Sequence, residues 1–431
     1  MHDLKNAEKV KKIMITGING LSDNGEVALL TGAVEPLKNT VSVAKFYMGS
    51  IFDNDNARLK QVFPNYHEQI ELIKPLLKNI KIIPWYLKVA LLLIKYPFLY
   101  PKADIIIHLG ADGYSDQSTG GPLATLTHSY QLFLGYIFRK SVILCAVTVG
   151  PFNFLWSRKL VKFVLDRVSF ITPRESVTHN YLNELKVRSP MSLVSDLAFL
   201  MEPASEKRVD SILNEKGLLN GRPLACLVAS DIIYKKISGS QDEKTKHEIY
   251  IKAMADVSDY LTNKGFEVIL VPQVVHGKHD DVKIIQKIYN KTKQKPTLMD
   301  KDLTPQEVKG VLGKCSILVS SKMHSAILAT SMGTPTVIIA YGSKVQGIIG
   351  SMLKQENYII DLRGLDFSIL ESCLYDKIEK CLREKEKIRN VLLECLPEIK
   401  KMALCNIQII ERIINPVENR RKNRIENNEG C

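Results

Sequence analysis

A lysine and a histidine two residues apart, Lys322 and His324, stand in the segment SSKMHSAILATSMGTPTVIIAYG (residues 320–342). The run CSILVSS before them reads as a strand ending near Ser321, and a helix opens around Met323. Gly333 and Pro335 end that helix in the usual order. Both side chains therefore belong to a helix N-terminus, where unpaired amides and the helix dipole favour anions. Lys322 adds a full charge, and imidazole titrates near neutrality. The chemistry this suggests is binding of an anionic ligand coupled to a proton transfer, with Ser321 and Lys344 (in GSKVQG) on the same anion. The competing reading has Ser320 or Ser321 capping the helix, Lys322 in solvent and His324 packed in the core.

Three other loops carry polar residues where strands end. HLGADGYSD (residues 108–116) follows an apolar run; Gly113 allows close backbone approach, and Asp112 or Asp116 could hold sugar hydroxyls or act as a base. It lacks the G-x-G-x-x-G spacing and a Walker lysine, so a nucleotide fingerprint is weak, and the alternative is a turn capped by aspartates. GINGLSDNGEVALL (residues 17–30) is a second such loop, with Asp23 or Asn24 capping a helix and Asn24 assigned to the acceptor. ITPRESVTHNYL (residues 171–182) puts Arg174 at a strand end, where a guanidinium can clamp a phosphate or carboxylate in bidentate fashion. The alternative role for Arg174 is a structural ion pair.

The elements that must position these residues alternate along the chain. KKIMITGI, ADIIIHLG, SVILCAVTVG and SFITPRE read as buried strands separated by helices, and the pattern restarts with PLACLVAS, FEVILVPQ, CSILVSS and TPTVIIAYG. Continuous apolar strands each followed by a helix predict parallel sheets covered on both faces. The expected fold is α/β, two Rossmann-like doubly wound domains facing a cleft, with ligands at the carboxyl ends of strands. The expected bounds are 11–203 for the acceptor-side domain and 204–362 for the donor-side domain. Helices over 363–415 either close the second domain or cross back to the first, and 416–431 is a polar tail.

Composition narrows the function. The 431 residues are 45% hydrophobic and 24% charged with a net charge of +13, a balance for anionic partners. No basic recognition helix or basic–aromatic element is present, which disfavours nucleic acid. The eight cysteines form no C-x-x-C pair and read as reduced thiols of a cytoplasmic protein, and no metal cluster stands out. The charged N-terminus, followed by only a short apolar run, reads as no secretory signal. One stretch, IIPWYLKVALLLIKYPFLYP (residues 82–101), is apolar and aromatic but carries Lys88 and Lys95. It is too short and too charged to span a bilayer and fits either a core helix or peripheral contact with the inner face of a cell membrane.

Most of the chain resembles the polysaccharide pyruvyl transferases. DIIIHLGADGYSD, VILCAVTVGPF, ITPRES, SLVSDLAFL, VILVPQVVHGKHDD and SSKMHSAILATSMGTPTVIIAYGSKVQG are similar to that family's segments and follow its order. The resemblance implies a GT-B-like fold and transfer of a pyruvyl group from phosphoenolpyruvate to hydroxyls of a sugar or glycan, as a ketal. No cofactor or metal is then needed, phosphoenolpyruvate being a co-substrate. His324 would be the catalytic acid/base, and Arg174, Lys322, Ser321 and Lys344 would hold the donor's phosphate and carboxylate. Where the family has Arg before its Met/Leu-His pair this chain has Lys322, which keeps the charge without the bidentate fork. The alternatives are a GT-B-type glycosyltransferase using a nucleotide sugar, whose donor-side helix is similar, and a non-catalytic carbohydrate-binding relative.

Overall fold

The structure, a computed structural model, describes residues 11–76, 84–110, 113–117, 120–233, 242–275, 280–363 and 365–415, apart from the Trp85 side chain. It divides into two compact units. One comprises residues 11–20, Leu29–Leu197 and 401–415; the other comprises Leu21–Ala28 and Ala198–Lys400.

The first unit is built on β1 (Lys11–Thr16), β2 (Val43–Gly49), β3 (Ile70–Ile73), β4 (Ile105–Leu109), β5 (Ser141–Val147) and β6 (Phe170–Pro173). All are parallel, in the order β3-β2-β1-β4-β5-β6. Every residue of β4, IIIHL, is buried, as expected for a central strand covered on both faces. Its helices are α1 (Asn24–Thr40), whose first turn belongs to the other unit, α2 (Asp55–Val62), α3 (Trp85–Leu93), α4 (Tyr96–Leu99), α5 (Gly121–Ile137), α6 (Leu155–Leu165) and α7 (Ser176–Glu184).

The second unit repeats the topology. Its strands are β7 (Leu224–Val228), β8 (Glu267–Leu270), β9 (Thr297–Leu298), β10 (Cys315–Ser320), β11 (Thr336–Ala340) and β12 (Ile359–Asp361). They lie parallel in the order β9-β8-β7-β10-β11-β12, the same path as the first sheet. In both sheets the chain adds two strands to one side of the first, then returns to its other side. The crevices at those reversals, β1/β4 and β7/β10, are where doubly wound folds bind ligands. The helices here are α8 (Glu206–Glu215), α9 (Glu243–Asn263), α10 (Asp281–Lys291), α11 (Pro305–Gly313), α12 (Met323–Thr330), the short α13 (Ser343–Val345), α14 (Leu370–Arg383) and α15 (Lys385–Ile414).

All eight expected strands are present, trimmed at their ends. Four more complete the sheets: β2, β3, β9 and β12. These are short or carry charged residues, such as Lys45 and Glu71, so no continuous apolar run marks them. The units divide at Leu197/Ala198, and the last turns of α15 belong to the first unit. The cause there is Asn406, fully buried, which accepts from Thr172 Oγ1 (2.7 Å) and donates to the Ser195 carbonyl (3.1 Å). The described cysteines are all free thiols, buried or half-buried. The 416–431 tail lies outside the described residues.

Candidate functional site

Lys322 and His324 lie where β10 ends and α12 begins, beside the β7/β10 reversal. Ser320 sets the turn: its hydroxyl donates to the Lys322 carbonyl and accepts from the Lys322 N–H, both at 2.9 Å. That leaves Lys322 extended (φ −123°, ψ 124°) as the N-cap residue of α12, with no side chain capping the helix. The amides of the first turn therefore have no side-chain acceptor of the usual kind. Ser321 is buried, donates its N–H to the Val228 carbonyl, and shares a 2.6 Å hydrogen bond with the Tyr250 hydroxyl. Its hydroxyl thus locks β10 to α9.

The Lys322 ammonium meets Asp281, the first residue of α10, with Nζ 2.9 Å from Oδ1. Asp281 is fully buried, and its Oδ2 accepts from the N–H groups of Val274 (2.7 Å) and Gln273 (3.2 Å). Burial pushes its carboxyl above the usual range, against the pull of Lys322 and the Val274 N–H. Burial alone would lower the Lys322 pKa, but the carboxylates of Asp281 and Asp23 outweigh it and hold it above the ordinary lysine value. Lys322 is therefore a fixed cation. Gln273 beside it is buried, and its side-chain amide has no hydrogen-bond partner among the described residues.

Residues 21–28 complete this arrangement from far away in sequence. Asp23 bridges to Val274, and Asn24 donates its N–H to the Gln273 carbonyl at 3.0 Å. The Asp23 carboxylate in turn accepts from the Gly25 N–H (2.7 Å). Gly25 lies flat against His324: a Cβ on it would fall 2.3 Å from Nδ1 and 2.5 Å from Cγ of the imidazole. Only glycine leaves the ring its place. Asn24 thus falls in the second unit, not in the first. Lys344 sits half-buried in α13 after β11.

Two polar residues singled out in the first unit, Arg174 and Asp116, are bonded within the fold. Arg174 is fully buried, its Nη1 2.8 Å from the equally buried Asp196 and its Nε donating to Thr148 Oγ1 at 2.9 Å. The structure thus places Arg174 in an internal ion pair, the alternative to a donor clamp, with no exposed side-chain surface. Asp116 also has partners within the fold. It accepts from the N–H groups of Asn153 and Phe154 and from the Ser157 hydroxyl (2.7 Å), fixing the start of α6. Burial would raise its carboxyl, but those donors outweigh it and hold the group below the usual range. Gly113 lies over His128, and Asp112 is outside the described residues. Among the described residues no group of three or more His, Cys, Asp or Glu side chains is placed to hold a metal ion.

The sequence profile of the family described as polysaccharide pyruvyl transferase matches residues 25–343, well over half of the chain. The chain belongs to the polysaccharide pyruvyl transferase family. The matched span starts at the glycine beneath His324 and stops one residue before Lys344. The amylovoran biosynthesis protein AmsJ of Erwinia amylovora is 23% identical over 255 residues, which cover 57% of this chain and 59% of that protein. The chain thus spans less than two thirds of that relative's length. Solved structures similar to the chain include a glycosyltransferase from Rickettsia africae (TM-score 0.54, 11% identity, 94% of this chain and 99% of that one). The UDP-GlcNAc 2-epimerase of Neisseria meningitidis has a TM-score of 0.59 at 11% identity, covering 93% and 99%. Sucrose-phosphate synthase of Thermosynechococcus elongatus gives 0.56 at 10%, covering 94% and 100%. At such identities the likeness is one of fold, the GT-B-like α/β class, and the family is one of transferases.

Asp281 and Gly25 were not legible as site residues from the sequence, though each left a trace. HDD supplies two acids where one suffices to cap α10: Asp280 takes that task, accepting from the Val282 N–H, and leaves Asp281 over. Gly25 breaks the opening turn of a helix where alanine would be favoured by about 1 kcal/mol.

Proposed function

We propose that this transferase moves a pyruvyl group from phosphoenolpyruvate to two hydroxyls of a sugar in a polysaccharide or lipid-linked glycan, forming a ketal. The observation that carries the reading is the pairing of a fixed cation, Lys322, with an imidazole, His324, at the carboxyl end of β10. An ammonium has three N–H donors; Asp281 aims one, and the others suit the donor's phosphate or carboxylate. The first-turn amides of α12 add to that attraction. Lys344 is proposed as a second cation for the same anion. Ser321 supports the turn through Tyr250 and need not touch the donor.

The reaction balances as an addition followed by a displacement. One sugar hydroxyl attacks C2 of phosphoenolpyruvate while the methylene carbon takes a proton and becomes a methyl group. The second hydroxyl then replaces phosphate at C2, and its proton leaves with the phosphate. His324 is proposed to deliver or accept those protons, a general acid/base task. The family and the amylovoran relative support a glycan as acceptor, and the buried or half-buried free thiols support a reducing, cytoplasmic setting.

A second reading rests on the two carboxylates beside Lys322. Asp281 and Asp23 offset its charge, which suits a ligand richer in hydroxyls, such as a nucleotide sugar used for glycosyl transfer. A thermal-shift series with phosphoenolpyruvate and a panel of nucleotide sugars separates the two. A ligand at a hundredfold excess over its dissociation constant stabilises the native state by about 2.7 kcal/mol. A shift with phosphoenolpyruvate that Lys322→Ala removes supports pyruvyl transfer. A shift only with nucleotide sugars replaces it with the second reading.

A further inference from the structure

Nineteen large hydrophobic side chains stand exposed among the described residues, and their distribution is uneven. Twelve lie on or at the ends of α3 to α6 of the first unit, with Phe98 73% and Leu155 67% exposed; three lie in the second unit. The helices carrying them are neighbours. Tyr130 of α5 reaches the Leu93 carbonyl of α3, and Phe133 of α5 meets Phe163 of α6 with ring centroids 5.9 Å apart. Between α5 and α6 runs an apolar groove of about 220 Å³. Isolated exposed apolar residues are ordinary; a contiguous face of them marks an interaction surface.

Charge indicates what covers it. Residues 84–167 hold nine Lys or Arg, four Asp and no Glu, and α3, α4, α5 and α6 contain no acidic residue. The described acids of this stretch are engaged within the fold: Asp104 with the Lys12 N–H, Asp116 at the start of α6, and Asp166 with Lys162. Lys95 and Lys162 are engaged within the fold, with the Lys74 carbonyl and Asp166, but other cations border the apolar surface. The Arg167 guanidinium lies 3.7 Å over the Phe163 ring, and Lys159 is exposed one turn from Leu155. A second copy would bring like charges face to face, whereas an anionic bilayer complements them and takes up Trp, Tyr and Phe side chains at its interface.

We infer that the α3–α6 face of the first unit docks on a membrane rich in anionic phospholipid. This enlarges the contact expected from residues 82–101, of which 82 and 83 and the Trp85 side chain lie outside the described residues. No helix among the described residues is long and apolar enough to cross a bilayer, so the face lies on the surface. The inference holds whichever donor the second unit uses.

The test is flotation of the full chain with vesicles of phosphatidylglycerol and phosphatidylcholine, and with phosphatidylcholine alone. The chain should float with the anionic vesicles at 50 mM salt and lose at least tenfold in binding at 500 mM (order-of-magnitude expectations from counterion screening). Phe98→Glu with Leu155→Glu, and separately Lys88→Glu with Lys159→Glu, should abolish flotation while circular-dichroism melting is retained. No flotation of the unaltered chain on anionic vesicles at low salt overturns the proposal. So does equal binding to phosphatidylcholine, which removes the anionic partner. A dimer seen by light scattering that Phe98→Glu with Leu155→Glu dissociates, without vesicle binding, reassigns the face to self-association.

Discussion

The two sheets share one topology, yet the same crevice is used in opposite ways. At β1/β4, Thr16 pairs with His108 in register, and the Thr16 hydroxyl meets His108 Nδ1 at 2.9 Å. His108 Nε2 meets His128 Nδ1, also at 2.9 Å. Gly17 (φ +89°) closes over the strand end, where a Cβ would fall 2.4 Å from the Leu109 carbonyl oxygen. Burial pushes both imidazoles down, so this chain of polar groups is neutral and satisfied from within. At β7/β10 the strand end instead carries a lysine whose charge is held in place by carboxylates at its edge. Topology offers a crevice in each unit; side-chain chemistry decides which one can meet a ligand.

That contrast can be broken by experiment, starting with its sharpest claim. His324→Ala should lower turnover by about 10²–10⁴-fold, the usual range for a lost acid/base group, with its urea midpoint unchanged. Near-normal turnover would return His324 to a packing role. Arg174→Met should take from the buried Asp196 carboxylate its guanidinium partner and cost about 3–5 kcal/mol in urea unfolding. A stable Arg174→Met protein that has lost its ligand-induced thermal shift would instead make Arg174 part of the donor site.

The neutral histidine chain has a pH signature. His128 falls from an ordinary 6.5 to about 4 on folding because burial disfavours its charged form. The unfolded chain therefore binds the extra proton between those values. The stabilising contribution is full above pH 6.5 and is lost as pH falls toward 4, about 3 kcal/mol in all. Unfolding free energies measured across that window should fall more steeply in the unaltered protein than in His128→Gln. Parallel profiles would mean that the pair is not held neutral.

The smallest effect tests the contact beneath His324. Gly25→Ala should destabilise by about 1–3 kcal/mol through overpacking, against the sign expected from helix propensity, and should slow turnover. Gly25→Ala combined with His324→Gly should recover most of that stability, since the ring and the His324 Cβ, which would lie 2.6 Å from the new methyl, are both gone. Additive losses in the double-mutant cycle would show that the contact is not what makes alanine unfavourable.

The sequence by itself determined the doubly wound strands and helices, because buried parallel strands must be continuous apolar runs and a glycine such as Gly333, at φ +77°, ends a helix. It also determined the family, through ordered segments from residue 25 onward, and it marked Lys322 and His324 at a strand end. Only the tertiary structure decided which polar residues were consumed by the fold. Arg174 and Lys322 look alike in sequence, each a cation ending a strand, but Asp196 encloses the first while Asp281 holds the second at an edge. Such partners are distant in sequence: Asn24 and Gly25 meet Gln273 and His324, and Asn406 meets Thr172. Local pattern reports what a residue can do; burial and its partners, which depend on long-range packing, decide whether its charge remains available.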